Sequence, residues 1–209
     1  MQVAVAIVFF GVLAFAMAFF AVMGLVQARR TRELASAAYD MGLRFSPDDL
    51  FDVPRRYGDM ALMSCGHSPR ANNVAHGRLA GMPVQAFDFR YEAGHGPRRM
   101  TRHYSVIVAE AQRELPRALI WHVEDEEFGP LAVRRPDMRV GCWHCVGDAA
   151  FARKLAEACR PLADLGVSAE TLGPRILLCS RVERGGLSRA LPMAAAIGVL
   201  QAVKADGPD

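Results

Sequence analysis

The sequence predicts an α+β protein in which one apolar N-terminal helix precedes a domain built from an antiparallel sheet and two covering helices. Three patterns support this prediction. Residues 3–26 carry no charged side chain. From about residue 58 to residue 146, apolar and polar residues alternate with the period of two that is typical of strands. After Asp148, apolar residues recur at helical spacing, and a second apolar stretch follows near the C-terminus. This order of elements gives an α+β fold.

The first predicted element is a transmembrane anchor over residues 1–28. A helical run of about 24 apolar residues is about 36 Å long, which exceeds the bilayer core of about 30 Å. Such a run is too long for a secretory signal peptide, although cleavage as a signal peptide remains the alternative. Arg29, Arg30 and Arg32 follow the run. Because flanking basic residues stay in the cytoplasm, they predict an outward N-terminus and a cytoplasmic domain.

The rest of the chain divides into three predicted parts. Residues 29–45 continue as a juxtamembrane helix that Gly42 stops, residues 46–205 form the α+β domain, and residues 206–209 are a tail. Within the domain, the segment Ser46–Asp49 predicts the start of a short helix that Pro54 interrupts.

Alternation and turn residues predict the strands. They cover residues 59–66, 72–81, 82–93, 100–111, 118–125, 137–146, 167–172 and 175–181. Gly81 marks one hairpin, Pro116 a break, and Gly173-Pro174 a second hairpin. On the strand over 82–93 the aromatic residues form the core face, and we expect Asp88 to face solvent.

Two helices are predicted to cover the sheet. The first begins at Asp148 as N-cap, repeats Phe151, Leu155, Cys159 and Leu162 at helical spacing, and ends at Gly166. The second runs from about residue 188 to residue 204. Its apolar part of about 14 residues is too short to span a bilayer, which indicates a core helix.

Composition restricts the function classes. The net charge is +3, and Lys154 and Lys204 are the two lysines among 25 basic residues. This charge is too diffuse for nucleic acid binding, so no nucleic acid partner is expected. Arg98, Arg99, Arg102 and His103 cluster at one hairpin tip, which is either a solvated turn or a contact for anionic headgroups. The acidic run at residues 124–127 is expected to be solvated.

The segment Cys142-Trp143-His144-Cys145 is the sharpest local motif. Cys142 and Cys145 are candidate redox thiols, because a CxxC pair before a helix can lower a thiol pKa. Cys142, His144 and Cys145 are candidate zinc ligands, although structural zinc sites usually present two ligand pairs. The alternative is that the two cysteines are small apolar residues on a strand, with Trp143 buried between them. Five cysteines in a cytoplasmic domain are expected to be reduced.

A family resemblance covers most of residues 40–205. The segments that carry it are Asn73-Val74, Gly81, Phe87-Asp88-Phe89, Arg102-His103, Leu115-Pro116 and, more loosely, Phe151–Leu155. With these, the chain resembles a family from high-GC bacteria, mainly actinobacteria, to which no activity is assigned. Phe89 stands where that family often has Tyr, and the family pattern has no cysteine pair at Cys142 and Cys145. The resemblance therefore implies neither an activity nor a cofactor.

The sequence contains none of the common hydrolase, metalloprotease or phosphate-loop motifs. We therefore expect no cofactor and a non-enzymatic, single-pass membrane protein. It would contact lipid through residues 3–26, and its cytoplasmic domain would bind a protein partner or the lipid surface. A membrane-tethered thiol oxidoreductase and a zinc-binding protein are the alternatives.

Overall fold

A computed structural model of the chain describes residues 2–125, 135–182 and 193–205. It begins with one long helix, α1 (Gln2–Asp40), after which Gly42 adopts a left-handed conformation with φ 71°. Of the described residues, α1 is the one helix long and apolar enough to cross a membrane. Its most apolar 18-residue stretch has a mean hydropathy of 2.5, and none of that stretch is buried within the protein. A signal sequence would meet the same criterion of length and composition.

The rest of the described chain is a seven-stranded antiparallel sheet with three further helices. The strands are β1 (Arg44–Asp48), β2 (His67–Leu79), β3 (Met82–Ala93), β4 (Met100–His122), β5 (Met138–Val140), β6 (Trp143–Gly147) and β7 (Val167–Arg181). The helices are α2 (Val53–Arg56), α3 (Ala149–Cys159), which continues as a 3-10 turn over Arg160–Leu165, and α4 (Met193–Ala205). The α+β class expected from the sequence is confirmed.

The sheet is organised around the long strand β4. Strands β1 to β4 form a meander, β3 pairs with the first half of β4, and β6 pairs with its second half. Strand β7 pairs with β4 along the opposite edge. The regular pairing of β4 with β7 is interrupted at one level. There Leu115 lies opposite Gly173, between two register shifts. Pro116 and Gly173-Pro174 therefore lie within two continuous strands whose pairing is irregular there, and the predicted break and second hairpin are wrong.

Each face of the sheet has its own apolar core. Helices α3 and α4 cover one face, where Leu155, Ile176 and Leu178 are fully buried. Residues 53–65 cover the other face, where Phe89 and Leu177 pack. The first residues of the predicted last helix, 188–192, lie outside the described residues, and α4 begins at Met193.

Four local predictions need correction. Residues 59–66 are consecutive turns, because their apolar side chains all pack onto one face of the sheet. The segment expected to begin a helix at Ser46 lies in β1, and α2 begins at Val53, held by the Asp49 side chain. The juxtamembrane helix ends at Asp40, so residues 44 and 45 are already strand. The strand expected over 137–146 is divided into β5 and β6 by Gly141, which has φ 58°.

The predicted cap of α3 is confirmed and gives a testable contribution to stability. The Asp148 carboxylate accepts a hydrogen bond of 2.7 Å from the backbone N–H of Phe151. Replacing Asp148 with alanine is expected to lower the free energy of unfolding by about 1 kcal/mol, because one amide loses its partner and the helix dipole loses a favourable charge. Chemical unfolding of the full chain in detergent measures this loss. Asp148→Asn, which keeps a capping oxygen, should stay within a few tenths of a kcal/mol.

Candidate functional site where the N-terminal helix meets the sheet

The first residues after the apolar part of α1 are fixed to the sheet by an ion pair. Arg30 donates from Nη2 to Oδ1 of Asp88 at 2.7 Å and from Nε to Oδ2 at 3.0 Å. The side chains are 24% and 14% exposed, so water only partly screens the pair. A bidentate arginine–carboxylate pair fixes both distance and orientation, and this one joins residues that are 58 positions apart in the sequence.

Asn73 on β2 completes this polar junction. Its side-chain amide donates to Asp88 Oδ2 at 2.9 Å, and its side-chain carbonyl accepts from the hydroxyl of Thr31 at 3.1 Å. Asn73 is 4% exposed and has φ 52°, a left-handed conformation that asparagine tolerates better than most residues. The conformation coincides with a register shift between β2 and β3. The bulge thus supplies the side chain that connects α1 to Asp88.

A small, shallow cleft, partly open to solvent, lies beside this junction. Its apolar wall includes Leu34 of α1, and its polar wall includes Asn73, Asp88 and Ser105. Further along α1, Ala38 is fully buried in the core. The site therefore joins a helix to a sheet through polar groups at one end and apolar packing at the other.

The structure gives the three predicted membrane-flanking arginines different environments. Arg29 forms an exposed pair with Glu33 at 2.8 Å, and Arg32 is exposed. Arg30 is the one that turns inward to Asp88. The expectation that Asp88 faces solvent is wrong, because the α1 side of the sheet is covered at that position.

The Cys142–Cys145 motif is divided between a turn and a strand. Cys142 lies in the turn between β5 and β6, where its carbonyl accepts from the Val123 N–H at 2.9 Å. Trp143 and Cys145 both lie in the core beneath α3, and the Trp143 indole donates to the Val167 carbonyl at 2.7 Å.

His144, the third predicted zinc ligand, lies on the other face of β6, with its ring 5.5 Å from that of Trp121. The motif therefore does not bring its three candidate ligands together, and the described residues contain no cluster of three or more metal-ligating side chains. Burial raises the pKa of the Cys145 thiol, which disfavours the thiolate that redox exchange requires.

Two buried carboxylates on the opposite face of the sheet were not identified from the sequence. Glu170 is 2% exposed, and its Oε2 accepts from the backbone N–H of Ala61 at 2.6 Å. Burial raises its pKa to about 7. Asp125 is 5% exposed, accepts from the Tyr104 hydroxyl at 3.3 Å, and has a pKa raised by burial. The acidic run was expected to be solvated, and for Asp125 that expectation is wrong.

Comparison with known proteins gives one structural likeness. No protein-family model and no curated protein matches the chain. The crystal structure of the mycobacterial trehalose monomycolate transport factor A, TtfA, is similar, with a TM-score of 0.51 and 14% sequence identity. The similarity covers 83% of this chain and 90% of that chain. At this identity the likeness shows a shared fold. That neighbour is mycobacterial, and membership of this chain in the actinobacterial family that its sequence resembles stays a prediction.

Proposed function

We propose that the chain is a membrane-anchored, non-enzymatic accessory protein whose domain sits at the cytoplasmic face and binds a protein partner during the export of an envelope lipid. The fold is shared with a protein named as a transport factor for trehalose monomycolate, a glycolipid. The long apolar segment of α1 supports a single-pass anchor, since Phe15 is 75% and Phe20 72% exposed. Arg29, Arg30 and Arg32 support the cytoplasmic orientation. Membership in the actinobacterial family that the sequence resembles is part of this proposal.

One observation carries the proposal: the apolar segment and the docked segment are parts of one continuous helix. The helix leaves the apolar stretch, reaches Arg30 within a few residues, and is fixed there to Asp88. A flexible linker would let the domain rotate freely. A helix clamped to the sheet instead holds the domain in one orientation relative to the bilayer. Fixed orientation is what an accessory protein needs in order to present one surface to a membrane partner.

The proposal is tested in the bacterium that carries the gene, by depleting the protein and following newly made envelope lipid from the inner membrane to the surface. We expect surface delivery to fall severalfold while the precursor accumulates. A chain whose residues 3–26 are replaced by an unrelated apolar helix should restore delivery. A chain lacking residues 1–28 should not.

The controls separate anchoring from activity. Each complementing chain is quantified by immunoblotting, and membrane association is checked by resistance to extraction at high salt. Normal lipid delivery without the protein would show that the proposed process is wrong. Full rescue by the chain lacking residues 1–28 would show that the anchor is dispensable. Turnover of a lipid by the purified domain that depends on a specific side chain would contradict a non-enzymatic role.

A further inference from the structure

Two exposed arginines face each other directly across neighbouring strands. Arg70 on β2 is the register partner of Arg90 on β3, and the next residue across, on β4, is His103. Side chains directly opposite in an antiparallel pair lie on the same face, where like charges destabilise the sheet. Within the described part of the chain, neither Arg70 nor Arg90 makes an ion pair or a side-chain hydrogen bond. The two arginines therefore have no counter-ion within the described chain.

The path of α1 shows which end of the sheet these arginines occupy. Arg30 contacts Asp88, which lies opposite Asn72 of β2. After α1 ends, Leu43 packs against Gly77 of β2. A β-carbon added at position 77 would lie 2.8 Å from Cδ2 of Leu43. The chain from Arg30 to Leu43 therefore follows β2 from residue 72 toward residue 77. In the opposite direction, the apolar part of α1 extends beyond the start of β2.

The arginine pair lies on that same side, one step beyond the ion pair. Arg90 follows Asp88 by two residues, which is about 7 Å along a strand. Along a helix, about 7 Å corresponds to about four or five residues. Counted back from Arg30, this level falls at Leu25 and Val26, where the apolar run of α1 ends. The pair is thus level with the boundary between the apolar segment and the domain.

The β3–β4 turn adds further positive charge at the same end. Arg98 and Arg99 are exposed, with Arg99 paired to Glu92, and Met100 is 51% exposed. Segments 67–70 and 90–100 together contain four arginines and one carboxylate. We call these four arginines, at positions 70, 90, 98 and 99, the basic end of the sheet.

We propose that the basic end binds anionic phospholipid headgroups of the bilayer that holds α1. This inference rests on the proposed anchor, because the anchor places the basic end at the headgroup layer. Arginine forms bidentate hydrogen bonds with phosphate, and the surface of an anionic leaflet attracts basic groups within a Debye length, about 8 Å at physiological salt. An exposed methionine between the charges suits insertion among the headgroups. Lipid contact would fix the domain at a second point besides Arg30.

The test uses the full chain in nanodiscs with brominated acyl chains, which quench nearby tryptophan. Met100→Trp supplies the probe, while native Trp121 and Trp143 are buried. Quenching of the introduced tryptophan should increase at least threefold when 30% phosphatidylglycerol replaces neutral lipid. Salt at 0.5 M should remove most of the increase. Arg70→Gln/Arg90→Gln should remove it at low salt.

The matched control is Arg44→Gln/Arg78→Gln, which removes the same charge from exposed arginines toward the other end of the same meander. This control should keep the lipid response. The Arg70→Gln/Arg90→Gln variant should unfold in neutral lipid at the same temperature as the parent chain or higher, because a like-charge contact has been removed. That result excludes misfolding as the cause of a lost response.

The remaining outcomes separate this inference from the anchor. Entry into neutral nanodiscs without any response to phosphatidylglycerol would overturn headgroup binding alone. Failure to enter neutral nanodiscs would overturn the anchor and headgroup binding together. The third outcome combines two results: the lipid response is absent, and the parent chain binds polyglutamate peptide more tightly than the Arg70→Gln/Arg90→Gln variant does. This outcome would overturn headgroup binding in favour of an acidic protein segment as the partner.

Discussion

Replacing Asp88 with alanine is expected to lower the free energy of unfolding by about 2–3 kcal/mol and to loosen the attachment of α1 to the sheet. The substitution removes the acceptor of three hydrogen bonds, two from Arg30 and one from Asn73. Hydrogen bonds to a charged group contribute about 1.5–3 kcal/mol each in favourable cases, and the loss leaves a half-buried guanidinium without its counter-ion. Chemical unfolding in detergent measures the stability, and hydrogen exchange over residues 30–40 measures the attachment.

A double-mutant cycle separates this ion pair from general damage to β3. Arg30→Ala alone should cost less than Asp88→Ala, because Asn73 still has a partner. The double variant should be less destabilised than the sum of the two single variants, by about 1–2 kcal/mol. Arg32→Ala, an exposed arginine two residues further along α1, serves as the matched control and should change stability by less than about 0.5 kcal/mol. Strict additivity of Arg30→Ala and Asp88→Ala would contradict the coupling.

Features with a local cause were predictable from the sequence. The uninterrupted apolar run gives α1, and Asp148 with its apolar repeat gives α3. The β2–β3 hairpin followed from Gly81 between two alternating segments, and Gly81 has φ 80° in the turn. In each case the residues that specify the element lie within it or next to it, so a short window of sequence contains the information.

Features that depend on a partner far along the chain were not predictable. Pro116 and Gly173 each look like a strand break when taken alone. They lie at the same level of the paired strands β4 and β7, so both irregularities fall together and both strands continue past them. Residues 59–66 alternate like a strand, yet their amides are not part of the sheet, because the segment crosses a face that β2, β3 and β4 already form.

The same distinction applies to the candidate site. A carboxylate within a strand usually faces water. Asp88 does not, because it forms an ion pair with Arg30, which lies 58 residues earlier in the sequence. Cys142 to Cys145 were expected on one strand, and Gly141 moves Cys142 into a turn while His144 and Cys145 face opposite sides. Residue spacing alone did not identify which residues the fold brings together.

The stability of the chain is expected to fall as the pH rises from about 4.5 to about 7, because of Glu170. Its pKa is 4.5 in an unfolded chain and is raised to about 7 by burial in the folded protein. The folded state therefore binds a proton more tightly than the unfolded state, and the free energy of unfolding is largest below the unfolded pKa. Between these two values the decrease amounts to about 3 kcal/mol. Above about pH 7 the contribution of Glu170 is constant.

The comparison of wild type with Glu170→Gln isolates this carboxylate from all others that titrate. Glutamine keeps an acceptor for the Ala61 N–H and carries no charge, so it mimics the protonated glutamate. At pH 5 the two chains should have similar stability, and at pH 8 the variant should be the more stable by up to about 3 kcal/mol.

Glu114→Gln, at an exposed position on β4, should leave the pH profile of the wild type unchanged. Parallel profiles for wild type and Glu170→Gln between pH 5 and pH 8 would contradict a buried, proton-binding Glu170. If the rise in pH lowers only the hydrogen-exchange protection of residues 57–65, the effect lies in the segment that Glu170 holds against the sheet through Ala61.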